Sequence, residues 1–516
     1  MNLSTLLDQN CEQFGEYVAT IWLPEPDKEV QITNLDAFRE VKRLGNALRN
    51  LDVKRGDKIA VFLPNSPEVI ATYRAAWRIG AAVVPILFLL SEQEVRYILE
   101  NSESVAVVTH SDLYDTVAGA ARGLDHVKNI ILIDKEREGA RFYGDLIAES
   151  SETLEAVETA DDEIAVILYT AGTTGRPKGV MLSHLNLYSN AQSSFEHSFP
   201  PEKQEEARTF TGLFVLPLCH SYGLMVSNVG ALSGATNIMV PRFDPEMIFR
   251  AIEKYKIKIM AAVPAMFSYF LIAPEAEKYD TGSMEMWSSA SAPLSTDVIE
   301  NFENKFSGII YEGYGLSEAS PTVASHKLGM PTKPGSVGIP IPGVEVKIFD
   351  ENDREQKAHE MGELVVRGDN VMKGYYKMPD KTTDAIKNGW LHTGDIAYID
   401  DDGYIFIMER KDDMIIRGGE NIYPRELEEV IWSHPDVAEV AVVSIPDPVR
   451  GEEVVAVVVP HQGATLTEAD VKEFCTGKIA KFKLPKMVVF MDVLPRSSIG
   501  KILKRELKEK MRELVK

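Results

Sequence analysis

The chain has 516 residues, 45% of them hydrophobic and 26% charged, with 35 Gly, 27 Pro and a formal net charge of −23. This length exceeds one ordinary core of about 100 to 200 residues, and the composition is that of a folded globular protein rather than a disordered or fibrous one. The negative excess argues against nucleic-acid binding, which draws on clustered Lys and Arg, and against an anionic membrane surface, so any polyanion must be met by a local site.

The N-terminus, MNLSTLLDQNCEQFGEY, carries acids and lacks the basic and apolar regions of a signal peptide. Asn34 is placed to cap a helix in which Phe38, Val41, Leu44 and Leu48 share one face. The longest apolar run, Ile79 to Leu90, is too short to span a bilayer and contains a proline. Cys11, Cys219 and Cys475 are widely spaced and form no CxxC pair, so neither a disulfide framework nor a zinc knuckle is indicated. The expectation is a cytoplasmic protein without an integral membrane segment.

Apolar runs at 58–63, 104–110, 127–134, 163–170 and 256–264 alternate with helical stretches. Strands of that kind argue for α/β-layered sheets covered on both faces. From 334 to 409, Gly- and Pro-punctuated pieces such as PGVEVKIFD and GELVVRGD predict a more antiparallel, β-barrel-like region. After Arg410 the order is a polar Gly-rich stretch, a helix, VAEVAVVSI, EEVVAVVVP, a helix and a basic tail, enough for a small α+β domain. The expected organisation is therefore a large domain over 1–410 and a small mobile one over 411–516.

The fourth apolar run leads into YTAGTTGRPKG, residues 169–179. Gly172 and Gly175 allow successive backbone N–H groups to face an anion, while Thr170, Thr173, Thr174 and Lys178 add hydroxyls and a charge. This suits phosphate. It is not a Walker A loop, because Pro177 and Gly179 stand where that pattern does not allow them, and a plain surface loop fits the same residues.

Four further stretches follow in order: YEGYGLSE (311–318), WLHTGD (390–395), RKDDMIIRGGEN (410–421) and PRSSIGKILKREL (495–507). Together with the glycine-rich loop they resemble the adenylate-forming superfamily, in particular its acyl-CoA synthetase and fatty-acid-CoA ligase branch, over nearly the whole chain. The resemblance implies ATP, Mg2+ and coenzyme A as cofactors and co-substrates. It places Thr170 and Glu318 as metal ligands, and Gly172, Thr173, Thr174, Gly175, Lys178 and Ser317 around the phosphates. Glu312, Gly313, Tyr314 and Gly315 would border the adenine, with Asp395 at the ribose and Arg410 beside it. Lys501 would be the catalytic residue bridging the carboxylate and the α-phosphate. Asp412 would be the hinge, and Gly418 and Gly419 would line the path of the coenzyme A thiol. In an otherwise acidic chain, Lys478, Lys481, Lys483 and Lys486 form a basic cluster that a solvated face explains first and the nucleotide end of coenzyme A second.

PLCHSYGL (217–224) matches the family segment bordering the acyl pocket, with His220 at a gating position and Ser221 and Tyr222 beside it. SSASAPLS (288–295) matches the strand of small residues along the acyl slot, contributing Ala290, Ser291 and Ala292, with Ala290 where glycine is frequent. No Asp occurs from Phe214 to Val240, which argues against an amino-acid substrate. Two other positions depart from the family pattern: Ala171, where Ser or Gly is common, and Glu409, where Gly often precedes the arginine.

The function implied is an ATP-dependent carboxylic acid–CoA ligase for medium- or long-chain fatty acids, acting on a small-molecule carboxylate and compatible with a homodimer. Aryl- or alicyclic-carboxylate ligation, loading of a carrier protein, a luciferase-like oxygenase and a non-catalytic nucleotide sensor remain open.

Overall fold

The computed structural model describes residues 3–170, 177–496 and 502–514. The first sheet has eight strands, ordered Gly374–Tyr375, Lys178–Ser183, Ile164–Thr170, Ala82–Ile86, Lys58–Phe62, Ala106–Thr109, Asn129–Leu132 and Arg141–Phe142. From Ile164–Thr170 to Arg141–Phe142 every neighbour is parallel. Successive residues of its central strand enter different cores: Ile59 and Val61 pack in one hydrophobic cluster, Ala60 and Phe62 in another. Burial on both faces is why these strands read as continuous apolar runs instead of alternating ones.

A second sheet of nine strands runs Ile339–Pro340, Thr322–Ser325, Ile309–Gly315, Met286–Ser289, Ile259–Ala262, Gly212–Phe214, Asn237–Met239, Val18–Trp22 and Val30–Thr33. Its interior is parallel and its edges are antiparallel. The punctuated region folds into an antiparallel five-stranded sheet of Val344–Phe349, Gly362–Gly368, Ile386–Lys387, Trp390–Ile399 and Ile405–Arg410. A fourth sheet, of Ile415–Arg417, Glu420–Ile422, Val437–Asp447, Gly451–Pro460 and Met487–Phe490, buries Val440 and Val442 on one face and Ala441 and Val443 on the other. Among the described residues no helix is long and apolar enough to cross a membrane.

The expected first helix forms over Asn34–Asn50 with Val41, Leu44 and Leu48 buried, but its cap differs from expectation. Thr33 is the N-cap, its Oγ1 accepting from Asp36 N at 3.1 Å. Asn34 is fully buried; its Oδ1 accepts from Tyr17 N and its Nδ2 donates to Gly15 O at 2.7 Å. An asparagine consumed by long-range pairing is not free to cap, and the adjacent hydroxyl does so instead. The 288–295 segment also departs from expectation: the strand ends at Ser289, and Ser291 has φ +80°. This is a left-handed conformation that an L side chain adopts at a cost of about 1–3 kcal/mol.

Beneath the second sheet lies an aromatic cluster centred on Trp287 and Phe302, both fully buried, whose rings meet edge to face at 5.0 Å. Phe267 and Phe270 complete it. Trp287 sits between Met286 and Ser288, which face the cavity described below, so this packing holds the cavity wall from behind. Phe302→Ala is expected to cost about 3–5 kcal/mol in chemical unfolding followed by tryptophan fluorescence; a loss below about 1 kcal/mol would contradict this view of the core.

Candidate active site

Thr170 ends its strand directly opposite Lys178 in an antiparallel pair, so residues 171–177 connect two facing positions. Gly172, Thr173, Thr174 and Gly175 lie outside the described residues, as does Lys501. Lys178 Nζ stands 4.8 Å from the centre of the Tyr375 ring, and Tyr375 Oη donates to Glu318 Oε1 at 2.9 Å. Burial, followed by the Glu318 charge, pushes the Tyr375 phenol up, so it stays a donor to that carboxylate. Lys178 and Glu318, distant in sequence, are thus joined through one aromatic side chain.

The strand Ile309–Gly315 delivers the next group at its C-terminal end, where open α/β sheets bind ligands. Gly315 has no room for a side chain, since a Cβ there would lie 2.3 Å from Pro321 O. Gly313 is also tight, with Ser325 Cβ at 3.2 Å from the position of a Cβ, so both glycines serve the pairing with Thr322–Ser325. Tyr314 donates a short hydrogen bond to Asp395 Oδ2. The other Asp395 oxygen meets Arg410 Nη1 at 3.1 Å, across the register pair that joins their strands. Asp395 is 5% exposed; such a carboxylate persists buried because it is paired and hydrogen-bonded. Glu312, one residue before Gly313, is also buried.

Ser317 starts a short helical turn, and its Oγ lies 3.3 Å from Ser221 Oγ. That contact joins the turn after the strand Ile309–Gly315 to the start of the helix Ser221–Ser233. His220 precedes the helix Ser221–Ser233, and Tyr222 in its first turn shares a 2.8 Å hydrogen bond with Ser288 Oγ. Burial pushes the Tyr222 phenol up to about 12, so it remains neutral.

One cavity of about 490 Å³ contains His220, Ser221, Tyr222, Ala290 and Ser291 in its lining together with Gly313, Tyr314, Gly315 and Ser317. Much of the remaining wall is apolar, from residues such as Val215, Met225 and Met266, and Arg242 is exposed. Ala292 is half-buried and does not belong to this lining.

Gly418 and Gly419 have φ +63° and +90° and close the two-residue loop between Arg417 and Glu420. Two positive φ values in a two-residue hairpin call for glycine by turn geometry alone; no other atoms lie within 4 Å of a Cβ built on either residue, so the loop faces open space. Asp412 is exposed, and its backbone oxygen accepts from Lys508 Nζ at 3.1 Å. In the basic cluster, Lys483 pairs with Glu426, Lys486 pairs with Asp447 at 2.9 Å and Lys478 covers the Phe474 ring. Two of the four charges are therefore already compensated.

Sequence reasoning missed several supporting groups. Thr393 Oγ1 accepts from Asp395 N and donates to Leu364 O, fixing the carboxylate's backbone. Glu363 accepts from Gly394 N at 3.1 Å, His392 Nδ1 and Lys411 Nζ, bracing the turn before Asp395. Tyr375 had no local signal beyond its place in KGYYK, because its role arises from pairing of Gly374–Tyr375 with Val180 and Met181.

The sequence model of the AMP-binding enzyme family matches residues 7–376, and that of the AMP-binding enzyme C-terminal domain matches residues 426–501. A long-chain-fatty-acid–CoA ligase of Bacillus subtilis strain 168 is 34% identical, covering 99% of this chain and 95% of the relative. A feruloyl-CoA synthase of an Amycolatopsis species is 33% identical over 93% of this chain and 94% of its own. The crystal structure of ATP-bound MatB from Rhodopseudomonas palustris superposes with a TM-score of 0.88 at 31% identity, covering 100% of both chains. The chain therefore belongs to the AMP-binding enzyme family, within the AMP-forming acyl-CoA synthetase branch of the adenylate-forming superfamily.

Proposed function

We propose that the protein joins a medium- or long-chain fatty acid to coenzyme A through an acyl-adenylate. The observation that carries this reading is the single cavity in which an apolar wall runs on to Tyr314 and Ser317. An acyl chain lying against Val215, Met225 and Met266 would bring its carboxylate toward the nucleotide segment. A fatty carboxylate is ionised at neutral pH and needs no general base; it needs charge neutralisation and alignment.

In the first half-reaction a carboxylate oxygen attacks the α-phosphorus of ATP. The new O–P bond forms as the bond to the β-phosphate oxygen breaks, and pyrophosphate leaves. Asp395 and Arg410 would hold the ribose, Tyr314 would border the adenine, and Thr173, Thr174 and Lys178 would steady the departing pyrophosphate. Lys501 would neutralise charge between carboxylate and phosphate. Thr170 and Glu318, a hydroxyl and a carboxylate, suit a Mg2+ ion that takes its remaining ligands from phosphates and water. In the second half-reaction the coenzyme A sulfur attacks the acyl carbon, the carbon–oxygen bond to AMP breaks and the thiol proton passes to solvent. Because Lys501 would obstruct the thiol, the small domain would turn about Asp412 to present Gly418 and Gly419.

Aryl carboxylates form the second reading, favoured by the Tyr222–Ser288 hydroxyl pair within the cavity lining and by the feruloyl-CoA synthase relative. Both readings are tested by pyrophosphate release over a panel of fatty, aryl and alicyclic acids, with and without coenzyme A. Release driven best by fatty acids of medium or long chain, with thioester appearing only when coenzyme A is present, is the expected outcome; release only with aryl acids would replace the first reading by the second. Lys501→Ala should lower acyl-adenylate formation by roughly 10²–10³-fold, yet leave thioester formation from supplied acyl-adenylate largely intact. Equal loss in both steps would remove Lys501 from its proposed role.

Glu312 generates a pH prediction. Burial, partly opposed by Arg425, pushes its carboxyl up to about 7. A carboxyl with a raised folded-state pKa favours folding fully below its unfolded value, and that contribution is lost as pH rises toward 7. Its share of stability should fall by on the order of 3 kcal/mol between about pH 4.5 and 7. Glu312→Gln should flatten this slope in urea unfolding across that window. An unchanged slope would show that Glu312 does not titrate there.

A further inference from the structure

A second cavity, of about 90 Å³, lies behind the first. The helix Ser221–Ser233 separates them: Tyr222 and Met225 face the large cavity, while Ser227, Gly230 and Ala231 face the small one. Arg74, on the helix Pro67–Arg78, lines the small cavity and is 6% exposed. Its Nη1 is buried with no hydrogen-bond partner, and Arg74 makes no ion pair among the described residues. The contrast with Arg78, one turn later, is sharp: that buried guanidinium is gripped by both oxygens of Asp8 at 2.7 and 3.0 Å.

A guanidinium does not deprotonate in proteins, so a buried one needs a counter-charge. The polar neighbours in the cavity do not supply one. Burial pushes the Tyr17 phenol up and keeps it neutral, and its hydroxyl accepts from Asn10 Nδ2 at 3.0 Å. The Glu40 carboxyl, pushed up by burial, accepts from Tyr143 Oη at 2.6 Å through Oε1 and makes no ion pair with Arg74. Most of the other walls are apolar, among them Ile32, Ile70 and Met239. A cation with no anion, set in a mostly apolar chamber too small for an acyl chain of substrate length, matches a ligand with one carboxylate and a short hydrocarbon tail.

We infer that this cavity is a binding site for a short-chain carboxylate, of about two to four carbons, held by Arg74 and distinct from the acyl cavity. Arginine presents paired donors to a carboxylate, and the apolar walls accept the tail, so a simple halide would use only half of the site. Because the ligand would press on the helix that carries Tyr222 and Met225, its occupancy would reach the acyl wall from behind.

The test compares sodium butyrate with sodium chloride at equal ionic strength in thermal unfolding of the full chain, for the natural sequence, Arg74→Met and Ala71→Met. Butyrate should raise the melting temperature of the natural sequence over chloride by roughly 1–3 °C once tenfold above its Kd. Arg74→Met should melt higher in the absence of carboxylate, since it removes an uncompensated buried charge, and should lose the butyrate-dependent rise. Ala71→Met, which fills the cavity without touching the charge, should lose it as well. Butyrate entering the acyl cavity would act equally on all three proteins, so only the part lost in the two variants measures this site. An equal rise in all three, no difference between the two salts, or an Arg74→Met protein that melts lower would each overturn the inference.

Discussion

The buried carboxylate of Asp395 is the constraint on which the candidate site depends. It receives Tyr314 from the end of the nine-stranded sheet and Arg410 from the neighbouring strand of the antiparallel sheet. Neither sheet alone contains the pair. An ionised group that is 5% exposed is stable only while its partners remain, so the two sheets are held in one relative position by the need to satisfy this charge. The strand bearing Arg410 ends there, two residues before Asp412. The proposed nucleotide segment at Tyr314, the sheet junction and the proposed hinge are therefore adjacent along one chain of contacts.

The acyl side is built differently. Its wall depends on packing more than on charge, through Trp287 and Phe302 behind Met286 and Ser288, and the Tyr222–Ser288 hydroxyl pair joins its helix to its strand. The two halves meet at the Ser221–Ser317 contact. Electrostatic tethering at one end and apolar packing at the other would suit the proposed fatty-acid reading, in which a nucleotide is fixed tightly and chains differ by only about 1–3 kcal/mol per methylene in binding.

Much of this was legible in the sequence because certain positions admit few residue types. The runs at 58–63 and 163–170 read as doubly buried strands, and residues such as Ile59 and Ala60 do enter opposite cores. The motifs singled out Asp395, Arg410 and Tyr314 and set Arg410 beside Asp395, as the strand register does, but the Tyr314–Asp395 contact joins strands far apart in the chain and left no local signal. Asn34 misled as a cap because its side chain is consumed by Tyr17 and Gly15. The 288–295 segment misled as a strand because Ser291 is held in a left-handed conformation that a serine adopts only at a cost, which no local pattern announces. Thr393 and Glu363 lie inside quoted stretches, but their roles, like that of Tyr375, rest on partners that sheet register supplies, Leu364 for Thr393 and the 392–394 turn for Glu363.

Glu409, where the family often has glycine, acquires a reason in the structure. Lys504 Nζ lies 3.1 Å from Glu409 and 3.0 Å from Glu428. Glu409 belongs to the strand before Asp412, whereas Glu428 lies on the helix Pro424–Trp432 after it. The adjacent Lys508 binds Asp413 Oδ1 and the Asp412 carbonyl. A lysine held from only the near side would be left as a lone charge, or would have to be dragged, if the small domain turned about Asp412 as proposed. Held from both sides, it can release Glu409 to solvent and keep Glu428. The exchange then gives up one of two largely buried pairs and frees Glu409 to water, instead of leaving Lys504 as a largely buried charge without a partner, which costs on the order of 3–5 kcal/mol. The helix that follows Lys501 can thus be anchored in one orientation and still leave it.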